Sequence, residues 1–106
     1  MEELWKQNTD KTPLYGVMDA VSEEMSELNK AMIKYKRSQH CGLPTPVTTE
    51  EATAMIKEEL SQVLTCIKCL IYKMDIDTEE IYQYQLEGDQ KIADRYKQLE
   101  EETSNG

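Results

Sequence analysis

The stretch LYGVMDAVSEEMSELNKAMIKY, residues 14–35, decides the fold. Its apolar residues fall at Leu14, Met18, Val21, Met25, Leu28, Met32 and Tyr35, in alternating steps of four and three. That repeat belongs to an α-helix, because a half-buried strand alternates every second residue. Thr12 suits an N-cap and Pro13 the first helical position. The spacing predicts a helix over about 14–38, slightly weakened by Gly16.

Residues 39–48 hold two prolines and a glycine and read as a loop. Thr48 or Thr49 then caps a second helix, with Glu50 and Glu51 at the positive end of its dipole. Its stripe runs Ala52, Ile56, Leu60, Val63, Ile67, Leu70, Ile71 and Met74, giving a helix over about 49–74. Asp77 and Glu80 form a capping-box pattern that opens a third helix. That helix is less regular, with a bend expected near Gly88 and a frayed tail over 102–106. Residues 1–11 read as a short helix or a docked arm, with Trp5 as its anchor. The expected architecture is all-α: a bundle of two long antiparallel helices plus a C-terminal helix, completed by oligomerisation. It forms one domain over 1–106 with its core at about 14–99.

Composition narrows the function. The chain has 106 residues, 12 Lys and Arg against 21 Asp and Glu, and a formal net charge of −9. Such a surface is a poor match for nucleic-acid phosphates, so no nucleic acid polymer is expected as partner. No apolar run approaches the ~20 residues of a membrane span. The acidic opening Met1-Glu2-Glu3 is unlike a secretory leader. Three cysteines, an odd number, fit a reducing cytoplasm better than a disulfide framework.

The acidic residues are not spread evenly. Glu23, Glu24 and Glu27 lie on the first long helix, and Glu58, Glu59 and Gln62 on the second. At about 100° per residue, Glu24 and Glu27 share one flank of their stripe, as do Glu59 and Gln62 of theirs. Facing stripes would bring these four together at one end of the interface, with Glu23 and Glu58 further outward. Carboxylates at this spacing on facing helices are how bundles hold metal ions, and hard oxygens suit Mg²⁺ or Mn²⁺. The plainer reading is a pair of solvated acidic faces.

Glu-Glu-x-x-Glu on one helix followed by Glu-x-x-Asp on the next resembles the signature of the all-α nucleoside triphosphate pyrophosphohydrolases, the MazG-like proteins and related dimeric dUTPases and dCTPases. Val21 to Leu28, Tyr35-Lys36-Arg37 and Ile56 to Leu60 also look like short bacterial and phage members. The resemblance implies a homo-oligomer, dimer or tetramer, that hydrolyses a nucleoside triphosphate to the monophosphate and pyrophosphate with Mg²⁺. It makes Glu24, Glu27, Glu59 and Gln62 the metal ligands, and Glu23 the catalytic carboxylate beside the water. It also makes Lys91 and Arg95 phosphate contacts, with Lys30 and Lys34 as lesser candidates. Gln62 stands where the family has Asp, which removes a negative charge from the site. A second reading follows: a catalytically inactive homologue that binds nucleotide or serves as a helical interaction module.

Cys66 and Cys69 form a C-x-x-C inside the second long helix, and with His40 and Cys41 they invite a zinc reading. A regular helix is not a zinc knuckle, and half-buried thiols are the expectation.

Overall fold

A computed structural model describes residues 3–105; Met1, Glu2 and Gly106 lie outside it, and with the first two most of the acidic opening read as unlike a secretory leader. Among the described residues the chain is all-helical: α1 (Leu4–Asp10), α2 (Leu14–Ser38), α3 (Thr49–Lys73) and α4 (Thr78–Asn105). None of these helices is long and apolar enough to cross a membrane. The chain divides after Asp75 into two units, α1 to α3 in the first and α4 in the second.

α2 and α3 pack along each other as an antiparallel hairpin. At the loop end, the Gln39 amide donates to Thr49 Oγ1 at 2.7 Å and Thr49 Oγ1 meets Ser38 Oγ at 3.1 Å. The turn itself is a Schellman closure: His40 N–H donates to the Arg37 carbonyl and Cys41 N–H to the Lys36 carbonyl, both at 2.9 Å. His40 takes the left-handed conformation this closure requires, with φ 63°. α3 then starts with a reciprocal cap, Thr48 Oγ1 accepting from Glu51 N–H at 3.1 Å and donating to the Glu51 carboxylate at 3.0 Å.

The start of α2 differs from expectation. Pro13 is the N-cap, and its ring carries no polar atom that could cap the helix. Thr12 instead turns back, its Oγ1 donating to the Asn8 carbonyl at 2.9 Å, because α1 ends just before it. At α4, Asp77 Oδ1 accepts from Glu79 N–H at 2.9 Å, so Asp77 caps the helix. α4 runs unbroken past Gly88 and through the segment expected to fray, to Asn105. Glycine lowers helix propensity without removing a hydrogen bond, so it does not by itself bend a helix.

The buried face of the hairpin is also turned. Its buried residues are small: Val17 and Ala31 on α2, Ala52 and Val63 on α3. Met25 and Met32, central to the expected α2 stripe, are 55% and 41% exposed. On α2 the contact line is rotated by about 80° from the apolar stripe, toward Ala20, Glu24 and Ala31. Small side chains let the two backbones approach, and this sets which carboxylates meet.

α1 docks on the C-terminal half of α3. Trp5 packs edge-on to Tyr72 with ring centroids 5.5 Å apart, and Lys68 Nζ lies 4.3 Å from the Trp5 centroid. Tyr72 OH donates to Asp10 Oδ1 at 2.8 Å and Lys73 Nζ to the Thr9 carbonyl at 3.3 Å. Trp5 is therefore the arm's anchor, as its sequence position suggested.

Candidate metal and phosphate cleft

The rotation of α2 brings Glu24 into the helix contact, where it is half-buried opposite Glu59 and Cys66 of α3. Glu59 is half-buried as well, and its Oε2 is shielded from water with no hydrogen-bond partner. Burial pushes the Glu59 carboxyl above its ordinary value of 4.5. A hydrogen bond with Glu24 and the negative charges of Glu24, Glu27 and Glu58 push it the same way. Each of these acts by disfavouring the ionised form. The Cys66 thiol is raised for related reasons, first burial, then the charges of Glu24 and Cys69.

Beside these groups an open cleft of about 140 Å³ runs between α2 and α3. Glu27, Lys30 and Lys34 line one wall with Ala31, and Glu58 and Glu59 line the other with Met55. Lys30 Nζ sits 3.2 Å from Glu27 Oε1. The cleft lies near the middle of the hairpin rather than at one end, because Glu27 and Glu59 are both mid-helix.

Three of the four expected ligands, Glu24, Glu27 and Glu59, are thus neighbours. Gln62 is exposed and is not among the residues lining the cleft. Glu23 and Glu58 are both exposed, as expected, and Glu58 also lines the open cleft. Among the described residues no three His, Cys, Asp or Glu side chains are gathered into a ready metal cage. The donors beside the cleft are carboxylate oxygens, the type that hard divalent cations take, and one of them, Glu59 Oε2, has no hydrogen-bond partner.

Lys91 and Arg95 are exposed on α4, in the second unit. Asp94, between them, accepts from the Gln90 amide at 2.9 Å. The zinc reading fails on distance. Cys66 and Cys69 line a small cavity with Thr9, Thr12 and Val17. His40 and Cys41 precede α3, so about 25 Å of helix separates the pairs.

The sequence anticipated the meeting of Glu24 with Glu59; what it missed is that Cys66 lies beside Glu24 as well. The available signal was the small-residue line Val17, Ala20, Ala31, which marks a close helix approach as well as a bulky stripe does. The chain matches no protein-family model, no curated protein and no solved structure.

Proposed function

We propose that this chain is a Mg²⁺-dependent nucleoside triphosphate pyrophosphohydrolase of MazG-like type, releasing pyrophosphate and a nucleoside monophosphate. The observation that carries the reading is the orphaned Glu59 oxygen among Glu24, Glu27 and Glu58. Four carboxylates beside one cleft repel, and the Lys30 ion pair with Glu27 and the contact of Glu59 with Glu24 offset only part of that cost. A divalent cation would relieve it, with Glu24, Glu27 and Glu59 as ligands; Gln62, exposed and outside the cleft lining, is not counted among them. When bound, Mg²⁺ (or Mn²⁺) supplies charge neutralisation and polarises the phosphorus under attack. Lys30 and Lys34 line the cleft wall and are read as phosphate contacts, and Lys91 and Arg95 are the further cations the family pattern suggests. Glu23 is the exposed carboxylate assigned to orient the water or take its proton.

The test is pyrophosphate release from a panel of ribo- and deoxyribonucleoside triphosphates with Mg²⁺ or Mn²⁺, alongside calorimetric titration of the metal. Turnover that falls at least about a hundredfold in Glu27→Ala and Glu59→Gln supports the reading. Folded protein that neither binds metal nor releases pyrophosphate ends it.

The exposure of Gln62 favours the second reading, a non-catalytic member of the same scaffold that binds nucleotide or a helical partner. Under that reading the parent is silent, and Gln62→Asp, which restores the family's carboxylate, gains activity. Clear turnover by the parent excludes it.

A further inference from the structure

Cys66 and Cys69 stand one turn apart on α3, and both line a cavity of about 140 Å³ where α1, α2 and α3 meet. Both are free and half-buried. The charge of Cys69 acts on Cys66, so the two sulfurs share one neighbourhood. Around them the wall is neutral. The Thr9 hydroxyl donates to the Trp5 carbonyl at 2.7 Å and the Thr12 hydroxyl to the Asn8 carbonyl at 2.9 Å. Val17 and Ala20 add only hydrocarbon. The two sulfurs are thus the ionisable donors of this wall.

Their spacing selects what can join them. Side chains three apart on a helix have Cβ atoms about 5–6 Å apart. A disulfide needs about 3.5–4.5 Å, so a direct S–S bond would distort α3. One atom placed between the sulfurs fits the undistorted helix. Zinc asks for four ligands, and these thiols are half of that set. We propose that Cys66 and Cys69 bind one Cu(I) ion, a soft cation that thiolates select and that two of them suffice to hold. Each thiol gives up its proton and two S–Cu bonds form, with no change of oxidation state. The cavity lets the ion enter beside the sulfurs without repacking the hairpin. The bis-thiolate centre carries one negative charge, which Glu24 opposes from α2. Lys73, one turn beyond Cys69, offsets it, with Nζ 3.3 Å from the carbonyl of Thr9, itself a lining residue. The proposal draws nothing from the oxygen donors of the acidic cleft, so it stands or falls independently of the pyrophosphate assay.

Anaerobic titration of the full chain with Cu(I), against bicinchoninate as competing ligand, tests it. The exposed Cys41 is first removed by Cys41→Ser, and far-UV circular dichroism confirms helix content in every variant. One Cu(I) per chain is expected, with X-ray absorption showing two sulfur neighbours. Cys66→Ser and Cys69→Ser should each weaken binding at least about a hundredfold. Ala20→Leu keeps both thiols and fills the cavity, and should weaken binding about tenfold. A flexible two-thiol chelate that needs no cavity predicts no change there. Single-serine variants that hold Cu(I) as tightly as the Cys41→Ser chain overturn the proposal. So does one ion shared between two chains, or Ala20→Leu with undiminished affinity.

Discussion

Substitutions at Ala31 and Met25 separate two views of how the hairpin packs. The apolar stripe of α2 makes Met25 a core residue and places Ala31 about 90° away from the stripe's centre. The folded hairpin reverses them: Ala31 is 3% exposed and Met25 is 55% exposed. Ala31→Leu forces three extra carbons between closely spaced backbones, which costs about 1–3 kcal/mol. Met25→Ala removes a side chain that is mostly in water and leaves no enclosed void, so about 1 kcal/mol or less is expected. Were Met25 a packed core residue, truncation would cost about 2–5 kcal/mol. Urea unfolding, followed by Trp5 fluorescence and circular dichroism at two protein concentrations, gives both numbers. Ala31 also lines the carboxylate cleft, so Ala31→Leu should weaken metal binding while Met25→Ala leaves it intact. If Met25→Ala is the more damaging change at both concentrations, the contact face is wrong, and Glu24 loses its place opposite Glu59.

Three further outcomes are expected. Glu59 is raised above 4.5 in the folded chain, so the folded state favours its protonated form. That stability is full below the unfolded value and is lost as pH rises through the folded one. Glu59→Gln should therefore match the parent near pH 4 and exceed it at pH 7.5 without metal, a difference that saturating Mg²⁺ reverses by stabilising only the parent. A variant less stable than the parent at pH 7.5 in the absence of metal would contradict this. Trp5→Ala removes the edge contact to Tyr72 and the cation over the ring, at about 1–2 kcal/mol together. Hydrogen exchange should show α1 losing protection while α2 and α3 keep theirs. His40→Gly relieves a left-handed non-glycine residue at the end of α2 and should stabilise the hairpin by up to about 1 kcal/mol, read from the urea midpoint.

Local physics made most of the secondary structure legible. The four-three spacing from Leu14 to Tyr35, the Pro-Gly loop and the Thr48 cap place α2 and α3 almost to the residue, because each depends on neighbours within one or two turns. The acidic spacing showed in the same way which carboxylates share a helix flank. The sequence alone did not determine the rotation of α2 about its axis. A hydrophobic stripe says which face avoids water, and a helix has two ways to hide bulk. It can pack the bulky line inward, or bring small residues into contact and leave the bulky line beside it. Only the tertiary structure selected the second, through close approach at Val17, Ala31, Ala52 and Val63. That choice turned Glu24 inward and Glu58 into the cleft wall, and it left Gln62 in solvent. These are relations between residues some 35 positions apart, and no local spacing encodes them.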